Sequence, residues 1–394
     1  MTNLDINRVR NMLFWFLKEF PLYILPFAVS QLALWIVVSK FIREKKFTNK
    51  TVVAFTSIHY NGNSKSVFDS MKNLEKYECY WIARNIKSLK DVMENKGQAI
   101  YAFFPIISMK FLLNTDILVT SDSSLDYLFL HKRPKVVQLW HAICTKAMLP
   151  HENNFDVWCV SSDYIKQRYV ELYKLPSNKF YSTGYPAIDI LYKHLHNSEL
   201  RGEFNKTYKI DSKIILYTPT WDCGLWGWGD QYNQFEKLCI FCKNNDLTVI
   251  LRLHPLAKIN KRNLRRIVQK YNVLWLDMDK EPDTMKLLAL SDILITDWSS
   301  TCVDFLLTKR PIIYLEVKKE FFTKSRGEAE APPELRAGEI VLGNEELYDA
   351  LDIVLTKGNR FKRKQDESLK LLHGDVDGKA SERVSKVIEK LSNK

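Results

Sequence analysis

The sequence predicts an α/β protein in which two doubly wound, Rossmann-like domains face one cleft, behind an N-terminal membrane-associated helical segment. Three observations carry that expectation. The chain has 394 residues, 46% of them hydrophobic, which is more than one compact core of ordinary size needs. From Thr51 onward, short apolar runs alternate with helix-like stretches, in two series parted by a polar, charged span from about His194 to Ser212. Ahead of both series, Pro21 to Ser39 carries no charge.

The uncharged stretch comes first. Leu22 to Val38 approaches the roughly 20 residues that a spanning helix needs. Pro26 interrupts it, and the preceding Met12 to Phe20, with Lys18 and Glu19, has an amphipathic, interfacial character, so a single span and a monotopic anchor both stay open. Lys40, Arg43, Lys45 and Lys46 follow, a cluster that stays on the cytoplasmic side and attracts anionic lipid. No small-residue cleavage site stands between the apolar run and this cluster, which argues against a signal peptide; a buried core helix is the plainer alternative. The expected divisions are an anchoring segment over 1–46, a first Rossmann-like domain over 47–200 and a second over 201–394. The body of the protein is then placed at the cytoplasmic face of the cell membrane.

The first series contains the strand-like runs Thr51–Ser57, Ile117–Ser121, Lys135–Leu139, Val157–Ser161 and Phe180–Thr183. The second contains Ile214–Tyr217, Thr248–Leu253, Val273–Leu276, Ile293–Thr296 and Pro311–Tyr314. Alternation with helices predicts parallel sheets, whose carboxyl ends form the usual ligand crevice. The tail, Glu345 to Lys394, reads as helices rich in Lys and Arg and is expected to close the second domain.

A net charge of +12 and a pI near 9.1 suit an anionic partner: nucleic acid, phospholipid headgroups or a phosphate-rich polymer. Seven scattered cysteines do not form a disulfide framework, which fits a reduced compartment. Cys239 and Cys242 form a C-x-x-C pair without a second pair or nearby histidine, so they are not expected to hold metal. No carboxylate cluster has convincing ligand spacing either, although Mg²⁺ could accompany a bound diphosphate.

Four polar clusters directly follow predicted strands. Gln138-Leu139-Trp140-His141 ends one run, and His141 is a candidate general base toward an acceptor hydroxyl, with Lys146 shortly after it. Thr218-Pro219-Thr220 leads into a turn followed by Trp226, Trp228 and Tyr232, aromatics that either hold a base or sugar or pack the loop. Leu251-Arg252-Leu253-His254-Pro255 alternates apolar with polar residues, which would put Arg252 and His254 on one face toward a diphosphate, although a lone histidine is more often structural. Asp297-Trp298-Ser299-Ser300-Thr301 opens a helix-like stretch; its hydroxyls and free N–H groups suit phosphate, and equally suit an ordinary N-cap. Attack of a hydroxyl on phosphorus needs a proton acceptor and positive charge on the phosphoryl oxygens, and these clusters supply both.

In this order the clusters resemble the CDP-glycerol glycerophosphotransferase family, the teichoic acid primases and polymerases and related capsule enzymes. The matching pieces are Phe55 to Ser66 with Gly62, Asn63 and Lys65, then Trp140-His141, Gly184-Tyr185-Pro186 with Asp189, Tyr217 to Asp222 and Arg252 to Pro255. Asp297 with Ser299 and Ser300, Asp304-Phe305 and Asp377 to Arg383 complete them. The resemblance implies a glycosyltransferase-B-like fold, essential histidines at His141 and His254, and transfer of glycerol phosphate with release of CMP. It also implies peripheral attachment to the membrane. On that footing Arg252, Ser299, Ser300, Thr301 and Lys146 are expected to bind the donor phosphates, and Thr218, Pro219, Thr220 and Asp297 the nucleotide. The expected partners are CDP-glycerol or CDP-ribitol, a lipid-linked glycan or polymer acceptor and an anionic membrane surface, with no nucleic acid and no required cofactor.

Two departures stand out. Trp-His is often followed by Gly-Thr-Pro in the family, whereas here Ala142 to Thr145 precede Lys146, and Ala187-Ile188 stand where Arg and Asn are common before the aspartate. The rival readings are a nucleotide-sugar glycosyltransferase of the same fold and a non-catalytic membrane protein. The latter would bind polyanions through patches such as Lys258 to Arg266 or Arg360 to Lys364.

Overall fold

The computed structural model describes residues 48–102, 108–122, 129, 134–145, 155–323 and 328–393, with Ser30 and Leu34. The expected anchor over 1–46 and the candidate Lys146 lie outside the described residues, apart from Ser30 and Leu34. Among the described residues no helix is long and apolar enough to cross a membrane.

The first sheet consists of β1 (Thr51–Ser57), β2 (Tyr77–Ala83), β3 (Ala99–Tyr101), β4 (Thr115–Thr120), β5 (Lys135–Gln138), β6 (Val157–Val160) and β7 (Phe180–Ser182), in the order β3-β2-β1-β4-β5-β6-β7. The second consists of β8 (Lys213–Thr218), β9 (Leu247–Leu251), β10 (Leu274–Trp275), β11 (Ile293–Thr296), β12 (Ile312–Leu315) and β13 (Glu339–Val341), in the order β10-β9-β8-β11-β12-β13. Every pairing is parallel. Strands covered on both faces read as continuous apolar runs, and the buried Val52 to Phe55 and Ile293 to Ile295 are such runs. Each sheet reverses its strand order once, between β1 and β4 and between β8 and β11, and crevices for ligands open at such points.

All ten predicted runs are strands, within a residue or two at most ends. Three strands were not predicted: β2, where Glu78 interrupts an aromatic run, and β3 and β13, edge strands of three residues each.

Five helices matter for the site: α1 (Gly62–Met71), α2 (Pro186–Leu195), α3 (Thr284–Leu290), α4 (Thr301–Phe305) and α5 (Ala380–Ser392). Pro186 suits the first turn of α2, where its missing N–H costs nothing. α2 lies against α3, and Ile188 and Leu191 share one apolar cluster with Leu287, Leu288 and Leu290. The two halves therefore meet through a buried seam.

The tail closes the second half only in part, and its last helix crosses to the first. The buried stripe Val384, Val387 and Ile388 of α5 packs on the outer face of the first sheet with Val53, Phe55, Val119 and Val137. Asp189 on α2 fixes its start, accepting from Ala380 N at 2.9 Å and Ser381 N at 2.8 Å. The corresponding face of the second sheet is already covered by the helix Asn344–Lys357 through Leu347, Leu351 and Val354. All seven cysteines are buried free thiols. Cys239 and Cys242 sit in the apolar cluster with Phe235 and Leu238, where burial pushes the Cys242 thiol up to about 12.

Candidate active site

The carboxyl ends of both sheets open on one cleft of about 700 Å³, within the range of small-molecule sites. On the first half, β5 runs into Trp140, whose φ of +53° is a left-handed conformation that a bulky side chain rarely adopts. That turn aims His141 into the cleft. Buried Asn63 on α1 holds the corner: its Nδ2 donates to Trp140 O at 2.7 Å, and its Oδ1 accepts from Ala187 N at 2.8 Å, an otherwise orphaned donor in the first turn of α2. The His141 ring lies on that of Trp140, centroids 4.1 Å apart.

The Nδ1 of His141 faces two acceptors, Ser121 O at 3.3 Å and the Asp122 carboxylate at 3.7 Å. Both favour a proton on Nδ1, which leaves the lone pair on Nε2. Asp122 is itself fixed by Ser57 Oγ at 2.8 Å and Ile58 N at 2.9 Å. On the second half the opposite holds: His254 Nδ1 accepts from Leu256 N at 3.1 Å, so its neutral ring carries the proton on Nε2. One histidine thus offers a lone pair and the other a proton.

Pro219, Thr220, Ser299, Ser300 and Thr301 line the same cleft, with Asp304. Ser300 precedes α4 without making a side-chain cap bond, so the plain N-cap reading fails for it. The Ser299 and Thr301 hydroxyls bond each other at 2.9 Å, and Thr301 reaches Thr218 at 3.0 Å.

Lys146 aside, five of the expected site residues and the two histidines line the cleft, and the other three lie behind the lining. Thr218 is buried beneath it. Asp297 is also buried and accepts from Thr220 N with both oxygens, at 2.9 and 3.0 Å, so it shapes the turn that presents Pro219 and Thr220. Burial pushes its carboxyl up against the pull of those bonds. Arg252 is a correction. The strand ends at Leu251, and the buried guanidinium turns to Leu276 O at 3.0 Å, to Glu281 O and to Thr284 Oγ1 at 3.0 Å. It braces the segment leading into α3 rather than facing a diphosphate with His254.

The profile of the CDP-Glycerol:Poly(glycerophosphate) glycerophosphotransferase family matches residues 38–390. The chain belongs to this family. A teichoic acid glycerol-phosphate transferase of Staphylococcus aureus is 23% identical over 379 residues, covering 88% of this chain and 94% of the relative. The ribitol-phosphate polymerase TarL of the same organism is 24% identical over 272 residues, covering 64% of this chain and 47% of the relative. A poly(ribitol-phosphate) polymerase of Bacillus spizizenii is likewise spanned over 55% of its length, so the chain spans about half of these polymerases. The wall teichoic acid polymerase TagF shares the fold, with a TM-score of 0.72, 19% identity and coverage of 99% of both chains; another structure of it was soaked with CDPG. MnaA of S. aureus, in a co-structure with UDP, shares it more loosely, at a TM-score of 0.57, 15% identity and coverage of 87% and 97%.

In this glycerophosphotransferase family member the loop after His141, where its sequence departs from the family pattern, is tied across the cleft. Thr145 Oγ1 donates to Trp298 O at 2.6 Å, and Cys144 N donates to buried Glu330 at 2.7 Å. Burial pushes the Glu330 carboxyl up, against that bond and one from Tyr173. Sequence reading missed Glu330 and Asp122. Asp122 follows β4, and only the β4–β5 pairing sets it beside His141. Among the described residues no cluster of three or more His, Cys, Asp or Glu could hold a metal ion. Trp226 is buried and donates from Nε1 to Asn344 at 2.9 Å, so it packs its loop.

Proposed function

We propose that this chain transfers a glycerol phosphate or similar polyol-phosphate unit from a CDP-activated donor to a hydroxyl of a teichoic acid or capsule polymer, releasing CMP. The observation that carries the reading is the pair of histidines, from opposite halves, with opposite proton placement on one cleft. His141 Nε2 takes the proton of the acceptor hydroxyl as its oxygen bonds to the phosphorus carrying the polyol. The bond from that phosphorus to the bridging oxygen breaks, and CMP leaves with the electron pair. His254 Nε2–H and the hydroxyls of Ser299, Ser300 and Thr301 donate to the phosphoryl oxygens, where charge spreads during transfer. The first half then presents the base to the acceptor hydroxyl, and the second holds the donor phosphates. We further place residues 1–46 against the membrane from the cytoplasmic side, on the strength of their uncharged run and basic flank.

Purified full-length protein with CDP-glycerol and a lipid-linked acceptor is expected to release CMP only when acceptor is present. Release from CDP-ribitol alone would change the polyol. Transfer from a nucleotide sugar, with none from either CDP-polyol, would overturn the reading in favour of a glycosyltransferase.

A further inference from the structure

We propose that a second cavity beside the cleft is an acceptor subsite for a phosphodiester already in the growing chain. The inference rests on the transferase reading above. The cavity measures about 560 Å³ and lies between the loop 221–232 and the side chains of Lys258 and Lys318. Trp221 is common to both spaces, with one part of its surface in the catalytic cleft and another in the second cavity. Its ring centroid is 6.5 Å from that of His254, so the cavity begins beside the histidine that faces the donor. An anionic polymer with its terminal hydroxyl near His141 could thus continue past Trp221 into a region lined by cations.

The cavity is preformed. A Cβ on Gly227 would come within 2.1 Å of Val317, so the loop is seated as closely as glycine permits. Tyr217 OH donates to Leu225 O at 2.7 Å, and Tyr232 OH accepts from Asn260 N at 2.6 Å, closing the loop at both ends. Lys258 is exposed and makes no ion pair among the described residues, while Asp230, the one acidic residue of the lining among the described side chains, accepts from Asn233 N at 2.7 Å as a helix cap. Among the described lining residues two lysines stand against one carboxylate, and phosphodiester is the class of ligand that answers them. The donor phosphates have their own partners in the cleft, His254 and the hydroxyls of Ser299, Ser300 and Thr301, so the two lysines serve a different phosphate.

The test uses the full-length protein in detergent and reads tryptophan fluorescence during titration with a glycerol-phosphate oligomer of several repeats, and separately with CMP. Lys258→Glu is expected to weaken oligomer binding about tenfold or more, the loss of a charged hydrogen bond, while CMP binding stays as in the parent and Lys258→Arg restores the oligomer. Unchanged oligomer binding in Lys258→Glu, or no oligomer binding by the parent protein, overturns the subsite. Loss of CMP binding instead assigns the cavity to the donor and also overturns it. Parallel assay of CMP release separates the two readings: an oligomer-binding protein that releases no CMP sinks the transferase reading and with it the acceptor role of the cavity, whereas CMP release with oligomer binding unchanged in Lys258→Glu sinks the subsite alone.

Discussion

Asn63→Ala should disable His141 without touching it. The amide holds two buried groups, Trp140 O and Ala187 N, and its removal leaves both unpaired at about 1–3 kcal/mol each if nothing moves. The left-handed Trp140 adds roughly 1–3 kcal/mol of strain that these bonds now restrain. Relaxation of the corner is the cheaper course, and it swings His141 away from its position. A displacement of about 1 Å from reactive geometry costs on the order of a hundredfold in rate. The expected result is a kcat about a hundredfold lower, a nearly unchanged KM for CDP-glycerol, and a urea midpoint shifted by an amount equivalent to about 2 kcal/mol. Steady-state kinetics and urea unfolding measure these directly, and a double-mutant cycle with His141→Ala decides the cause. If Asn63→Ala lowered the rate of His141→Ala by its full factor again, the residue would not act through the histidine and the argument would fail.

Three other outcomes follow from the geometry. His141→Ala and His254→Ala should each cut acceptor-dependent CMP release by about a hundredfold or more, with unfolding midpoints unchanged, because removing a positioned general acid or base costs on that scale. Arg252→Ala should behave as a folding variant: its guanidinium holds buried carbonyls, so stability falls by about 2–4 kcal/mol and Arg252→Lys does not restore it; a stable variant with only a raised donor KM would return Arg252 to the phosphate. At Asp283, burial pushes the carboxyl up, but bonds from His194 at 2.7 Å and from the backbone of α3 outweigh it and hold it below its usual range. A depressed carboxylate contributes stability above its unfolded pKa and loses it as the pH falls through the folded value, so the protein should weaken below about pH 4. Asp283→Asn should flatten that acid limb in pH-dependent unfolding, and an unaltered limb would contradict the assignment.

The fold was legible where strands are buried on both faces. Ile293–Thr296 and Thr51–Ser57 coincide with β11 and β1 because an apolar run in a parallel sheet has no polar side to blur its ends. The short edge strands β3 and β13 have no such length to show. His141, His254 and Ser299 to Thr301 were readable for a related reason: polar residues directly after a strand fall at the carboxyl edge of the sheet. Arg252 was misread because the alternation of period two was carried past Leu251, where β9 has already ended. Asp122, Glu330 and the embrace of the first sheet by α5 depend on residues distant in sequence, and no local pattern announces them.

That last arrangement bears on how the molecule is made. On the ribosome the first sheet emerges before the whole second half, and the stripe that packs on its outer face, Val384, Val387 and Ile388, follows only after that half. Until then Val53, Phe55, Val119 and Val137 have only the part of their cover that α1 gives, and the Asp189 carboxylate lacks the two backbone donors it accepts from. The nascent first half therefore completes its packing only after the second half has been made. A fragment ending at residue 200 should aggregate for the same reason, although its sheet is complete.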